Sequence, residues 1–404
     1  MIFADLHMHS KYSRATSKNL DIPNLEKWGK IKGLNLIGTG DFQHPLWLEN
    51  LKRDLVEQDG ILKSKGGMNF LLQTEISLIY TQGGKGRRIH HIILAPNFEV
   101  VDQIQEALGK KGRLDYDGRP IFGFDSIELI DMMREISEDI EVIPAHIWTP
   151  WFGLLGSKSG FDSIKECFGD RTKYIHALET GLSSDPAMNW RISSLDKYTL
   201  ISNSDSHSFW PWRIGRETNI FDVELTYKNI LNAIRTKKGL KETIEVDPSY
   251  GKYHIDGHRN CNISFEPDET KKNKGICPKC GKALTIGVLN RVEELADRPE
   301  GFKPEGAIPF KKLIPLAELI SKQIGVKSLN SKSVFSKYME IIDHFKSEFD
   351  VLLNENEESL SKFLDKRLVD LIIKNREGKL LIKPGYDGVY GELVLENQKQ
   401  LGSF

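Results

Sequence analysis

From residue 1 to about residue 240, short apolar runs alternate with amphipathic stretches. The apolar runs at 2–6, 35–38, 69–79, 89–94, 140–144, 174–178 and 199–202 are bounded by turn-forming residues, so they predict strands. Helical periodicity falls between them, at 24–32, 47–58, 99–108, 126–137, 186–197 and 227–237. Repeated strand-then-helix order predicts an α/β fold with a parallel sheet, open or closed into a barrel. The polar positions favour the barrel, because His, Asp and Glu recur at strand ends over 200 positions and a barrel mouth would gather them in one place.

The pattern changes after residue 240. Residues 241–290 hold few apolar side chains and much Gly, Lys and Cys; such a segment cannot build a core alone and needs a staple. Residues 291–404 read as mainly helical, at 313–324, 333–345 and 360–376, with two short strands around a Gly-rich turn in the tail. Three parts are therefore expected: 1–240, 241–290 and 291–404.

Composition narrows the function classes. With 39% hydrophobic and 28% charged residues, the chain suits a globular protein with a core. No apolar run reaches the ~18 residues of a membrane span, so no membrane association is expected. MIFADLHMHS lacks a basic segment followed by an apolar stretch, and the expected location is cytoplasmic. A net charge of −1 provides no global attraction for nucleic acid, although basic clusters lie at 85–88, 110–113, 235–238, 271–274 and 311–312.

The candidate chemistry is metal-based. In Asp5-Leu-His7-Met-His9, residues two apart on a strand face the same side, so both imidazoles point one way with Asp5 behind them. Asn203-Ser-Asp205-Ser-His207 repeats this geometry after the strand TLIS. Glu75 interrupts the apolar strand FLLQTEISLIY, where a carboxylate is costly unless it binds metal, bridges two cations or pairs with an arginine. His146 opens the loop HIWTPWFG, and Asp41 and His44 lie in GTGDFQHP. Glu179 ends a strand in ALETG, placed to order a ligand or a water. Only one of the neighbours His90 and His91 can face the same pocket. Nitrogen and carboxylate donors without thiolate suit Zn²⁺, Mn²⁺ or Fe²⁺, and several cations sharing one carboxylate suit phosphate-ester hydrolysis. Trp148, Trp151 and Phe152 follow His146 and are candidates for a DNA-base pocket.

Of four cysteines, three cluster. His258-x-x-Cys261 and Cys277-x-x-Cys280, fifteen residues apart, form a structural zinc pattern for one ion, with His254 the rival fourth ligand. Cys167 reads as a core residue.

DLHMHS, GTGDFQHP, the strand carrying Glu75, HHIILAPN, PAH and SNSDSH together resemble the polymerase and histidinol phosphatase (PHP) superfamily over roughly 1–240. That resemblance implies a distorted seven-stranded β/α barrel whose active site holds two or three divalent metals (Zn²⁺, Mn²⁺ or Mg²⁺). The family's ligand positions fall on His7, His9, Glu75, His90, His146, Asp205 and His207, with Asp205, His207 and Glu75 as the catalytic set. The family's contiguous Thr-Asp-His is here Gly-Asp41-Phe-Gln-His44, and its early third-site histidine is absent from KYSRATSK. Such a barrel followed by the zinc module and a helical tail resembles endonuclease Q over nearly the whole chain. This implies a DNA repair endonuclease cutting 5′ to deaminated bases (uracil, hypoxanthine, xanthine) and at abasic sites, acting on double- and single-stranded DNA. A PHP-type phosphatase for a small phosphate ester is the alternative, and a catalytically silent scaffold a third reading. A sliding clamp is a candidate partner, though the tail LENQKQLGSF carries no clear clamp motif.

Overall fold

The computed structural model describes residues 1–394, a mixed α/β chain. The tail 395–404, the segment that bears on a sliding-clamp partner, lies outside the described residues. The apolar run Ile2, Phe3, Ala4 opens the chain as the strand Ile2–Asp5, which lies inside an eight-stranded sheet. The order is Phe310–Lys312, Leu240–Glu245, Thr218–Phe221, Ile2–Asp5, Leu36–Gly38, Asn69–Leu71, Ile61–Ser64, Leu55–Gln58. A second sheet runs Ile121–Phe122, Gln73–Gln82, Lys85–Leu94, Glu141–Pro144. Ala177–Glu179 and Thr199–Ile201 form a parallel pair of their own.

Among the described residues the strands do not close into one hydrogen-bonded barrel, so the expected closed, seven-stranded arrangement is not what the sheets show. The outer edge of Ile2–Asp5 is taken by Thr218–Phe221, running antiparallel with Ile2 opposite Phe221. At the other side the predicted strand 69–79 bends at Leu72, so Asn69–Leu71 pairs with Leu36–Gly38 while Gln73–Gln82 pairs with Lys85–Leu94. The parallel-sheet expectation fails at this second pair, as it does between Ile2–Asp5 and Thr218–Phe221. Gly83 and Gly84 take φ of 61° and 73°, the two-residue turn that joins antiparallel strands without a helix. The predicted helix 47–58 likewise stops early, as Pro45–Asp54, and its last residues form the edge strand Leu55–Gln58.

Helix starts follow from the sequence. Asp21 caps Ile22–Lys32, Asn97 caps Phe98–Gly109 and Asp125 caps Ser126–Ile136, each side chain accepting a backbone N–H three residues on. Leu25, Trp28, Val101, Ile104, Leu129 and Met133 turn inward into the main core.

Beyond residue 313, Leu316–Ile324, Lys332–Phe345, Glu357–Phe363 and Lys366–Arg376 pack around Leu319, Tyr338, Ile342, Leu368 and Ile372. The single helix expected at 360–376 is two, because Asp365 starts a new one by accepting from the Leu368 N–H. A buried ion pair links this region to the first helix: Lys32 Nζ lies 2.7 Å from Glu348 Oε1. The Tyr338 hydroxyl and Leu316 N–H complete that carboxylate. Among the described residues, no helix is long and apolar enough to cross a membrane.

Candidate metal centre

His7 and His9 leave the end of Ile2–Asp5, and Asp205 follows Thr199–Ile201; the two turns meet through the His9 N–H and the Ser206 carbonyl. Asp5 lies behind them and fixes this junction, accepting from the N–H groups of Ser204 at 3.0 Å and Gly215 at 2.7 Å. Glu75 begins the strand Gln73–Gln82, His90 lies across the hairpin, and His146 follows Glu141–Pro144. One ligand atom from each of His7, His9, Glu75 and Asp205 lies within 4.8 Å of the others, and the same holds for Glu75, His90 and His146.

Glu75 belongs to both sets, with one oxygen for each. Its Oε2 faces His9 Nε2 at 3.2 Å and His7 Nε2 at 3.5 Å. Its Oε1 faces His90 Nδ1 at 2.7 Å and His146 Nε2 at 3.1 Å. Asp205 Oδ1 closes the first set at 3.0 Å from His9 Nε2. A carboxylate divided in this way is the donor arrangement of a bridging ligand between two cations. His7 Nε2 is buried without a hydrogen-bond partner and aimed into the set, which fits a cation there.

Asp41 and Glu179 are not among the converging atoms; both orient the imidazoles. Glu179 receives the His7 Nδ1–H at 3.0 Å, the His146 N–H at 2.8 Å and the Asn203 amide at 2.9 Å. Asp41 receives His9 Nδ1–H at 3.2 Å while Ser10 and Ser13 hold its other oxygen. With Nδ1 donating outward, Nε2 of each ring is left to face inward, the usual support behind a metal-bound histidine. Asp41, His146 and Asp205 all have positive φ (45°, 30° and 46°), backbone strain concentrated at one site. His44 and His207 also lie outside the converging sets. His44 stacks on Tyr12 at 4.4 Å, and His207 lies tilted against His9 at 4.4 Å with Nδ1 donating to the Asp205 carbonyl.

The charges explain how such a polar cluster is buried. Burial disfavours protonated His7, His9 and His146, yet the surrounding carboxylates hold all three above the ordinary imidazole value. Burial would raise Glu75 and Asp205, but neighbouring imidazoles, with Arg119 beside Glu75, keep both well below the usual carboxylate range. Burial wins at His90, pulled down to about 4 despite Glu75. His91 faces the other side of the hairpin, bonded to Ser126.

Arg119 is the residue that sequence reasoning missed. Its Nη1 lies 3.1 Å from Glu75 Oε2, so the buried carboxylate faces both imidazoles and an arginine. The loop that carries it is locked in place: Gln43 donates to the Gly118 carbonyl, and Asp117 accepts the Arg119 N–H. Gly118 sits so close to Asp41 and Ser13 that any side chain there would collide with both. A lone arginine in LDYDGRPIF carries no pattern; the only signal was that Glu75 needed partners.

A crystal structure of PfuEndoQ, a lesion-specific endonuclease from Pyrococcus furiosus, matches with a TM-score of 0.88 and 32% identity, covering 100% of this chain and 97% of that one. An endonuclease Q complex with a 27-mer duplex bearing an abasic lesion matches at 0.86 and 33%, covering 100% and 98%. The chain belongs to the endonuclease Q family. The Methanocaldococcus jannaschii protein MJ0043 aligns at 38% identity over 262 residues, 62% of this chain but 32% of MJ0043, so the chain spans about a third of that relative. The MJ0043 C-terminal domain family matches residues 315–379.

Two further groups bear on this endonuclease Q family member. His258, Cys261, Cys277 and Cys280 offer donor atoms within 4.8 Å of one another, and His258 Nδ1 lies 3.4 Å from Cys280 Sγ. His254 is not in this set. Burial opposes a thiolate at Cys277, but the backbone N–H groups of Lys279 and Cys280 hold its thiol down at about 6, a sulfur prepared for a cation. The three candidate pocket aromatics separate. Trp148 is fully buried with its indole N–H given to Asn189 and cannot line a pocket, because its ring fills the core. Phe152 lies tilted against His90 at 4.4 Å, and Trp151 stands exposed.

Proposed function

We propose that this protein is a metal-dependent DNA repair endonuclease that hydrolyses the phosphodiester 5′ to deaminated bases (uracil, hypoxanthine, xanthine) and at abasic sites. One observation carries the reading: a fully buried carboxylate, Glu75, offers one oxygen to each of two ligand sets in a chain matched end to end by endonuclease Q structures. The family match and the abasic duplex bound by a relative support DNA as the substrate.

His7, His9, Asp205 and Glu75 would hold one cation, and Glu75, His90 and His146 a second. Divalent cations there supply Lewis acidity toward a phosphate and a nucleophile at neutral pH. The chain's own residues do the rest. Glu179 and Asp41 accept from the outward Nδ1 of His7 and His9, so Nε2 of each ring is the nitrogen aimed at the cation once its proton has left. Arg119, once Glu75 is shared between cations, offers its guanidinium to a non-bridging phosphate oxygen. His207 donates Nδ1–H to the Asp205 carbonyl at 2.9 Å, and burial lowers its pKa, so Nε2 is available to take a proton near neutral pH.

His258, Cys261, Cys277 and Cys280 would hold one structural zinc that organises 241–290 between the catalytic part, 1–240, and the helical part, 291–404. The test is incubation of the full chain with end-labelled duplexes carrying uracil, hypoxanthine or an abasic site, with Mg²⁺ or Mn²⁺. Incision 5′ to each lesion and none of undamaged duplex is expected. Hydrolysis of nitrophenyl phosphate without incision of any duplex would replace this reading with a small-ester phosphatase.

A further inference from the structure

The hairpin that carries Glu75 and His90 continues outward as a groove, and its residues are set by strand geometry. Facing residues on Gln73–Gln82 and Lys85–Leu94 are Ser77 with His90, Ile79 with Arg88, and Thr81 with Gly86. Because side chains alternate, His90, Arg88 and Ile79 lie on one face, with Arg88 about 6.8 Å further from the metal centre than His90. The groove encloses about 470 Å³ between this face and the loop that carries Trp151, Lys158 and Ser159.

That wall is rigid. The His90 N–H bonds the Phe152 carbonyl at 3.0 Å, and the Arg88 N–H bonds the Ser159 carbonyl at 3.4 Å. Ser159 Oγ, between them, accepts from the Phe152 N–H and donates to the Arg88 carbonyl. The Trp151–Phe152 step therefore puts one ring on metal-facing His90 and the next into the groove, where Trp151 is 38% exposed and edges against Tyr253 at 5.5 Å.

The charges in the groove divide into used and unused. Arg87 is spent internally, on Glu166 at 2.9 Å and over the Phe161 ring at 3.9 Å. Arg88 and Lys158 are exposed and make no ion pair among the described residues. An exposed indole, an exposed Ile79 and two free cations, starting one strand step from a ligand histidine, match the stacking surface and phosphate contacts of an unpaired nucleic-acid strand.

The geometry points to this groove as the track for the DNA strand that leaves the scissile phosphate unstacked, with a base on Trp151 and phosphates on Arg88 and Lys158. The assignment rests on the nuclease reading above and adds where the strand runs. It is tested by fluorescence anisotropy of the full chain, in an Asp205→Ala background, with a labelled duplex carrying a central abasic site. Trp151→Ala should weaken binding by about 5- to 150-fold, the range for removing one base-stacking ring, and Trp151→Phe should recover most of it. Arg88→Ala with Lys158→Ala should lower the slope of log affinity against log salt by about 1.4–1.8, two phosphate contacts' worth. Both changes, made in the otherwise wild-type chain, should leave hydrolysis of bis-nitrophenyl phosphate unchanged, since a small ester reaches only the metal centre. Unchanged affinity and unchanged slope, in a protein whose wild type still incises lesion DNA, would overturn the groove alone. An equal fall in small-ester hydrolysis would overturn it too, by placing the damage at the metals. Absence of both incision and binding in the wild type would remove the nuclease reading together with it.

Discussion

Replacing Glu75 by glutamine keeps the shape of the side chain and removes one charge from the point where the two ligand sets meet. The carboxylate is fully buried, and five cationic or ligating groups face it: His7, His9, His90, His146 and Arg119, between 2.7 and 3.5 Å away. In the metal-free protein the change leaves Arg119 and the protonated imidazoles without their central counter-charge. Removing one partner of a buried pair costs about 3–5 kcal/mol, and the unfolding free energy in urea should fall by that amount at pH 6. In the metal-loaded protein the amide cannot serve two cations, so one should be lost and incision should drop about 10³-fold or more. Elemental analysis after gel filtration, urea titration and single-turnover incision read the three effects separately. A Glu75→Gln protein that keeps the wild-type metal content and incises within about tenfold of wild type would refute the bridging argument.

Further outcomes follow from the same geometry. Asp205→Ala should abolish incision while DNA binding survives, measured by gel shift beside a cleavage assay; retained nicking would remove Asp205 from the chemistry. Arg119→Ala should slow incision about 10²–10³-fold without reducing metal content, as expected when a donor to developing phosphate charge is lost. Cys277→Ser should lower the zinc content by one and expose 241–290 to protease before the rest of the chain; unchanged metal content would reject the site. Metal affinity should rise with pH from about 6.5 upward, because His7, His9 and His146 hold protons above the ordinary imidazole value of 6.5 that must leave before the rings can ligate. In the metal-free protein the sign reverses. Those raised values contribute stability that is complete below pH 6.5 and lost as the pH climbs through them, so thermal melts at pH 6 and 8.5, with and without Mn²⁺, should diverge.

Much of the centre was visible as residue type and period. His7 with His9, and Asp205 after an apolar strand, advertise a shared face because strand side chains alternate; Glu75 stands out because its neighbours are apolar. Roles were harder to read. Asp41 and Glu179 carry the same chemistry as ligands, and only their hydrogen bonds to Ser10, Ser13, Asn203 and ring nitrogens show them supporting the imidazoles from outside. Trp148 and Trp151 are three residues apart in one loop, yet one is core and the other exposed, a difference set by tertiary packing. The open sheet arrangement was hidden for a related reason. Whether the edge of Ile2–Asp5 meets Thr199–Ile201 or Thr218–Phe221 is a competition between distant segments, and both are only three or four residues long. Gly83-Gly84, by contrast, is a local hairpin signal that overrides the strand-helix rhythm around it.

The most direct measurement is anomalous scattering from crystals of the Mn²⁺-soaked protein. Two peaks about 3.5–4 Å apart, one beside each oxygen of Glu75, are the predicted result. A single peak, or peaks bound elsewhere with Glu75 still held by Arg119 and the histidines alone, would contradict it.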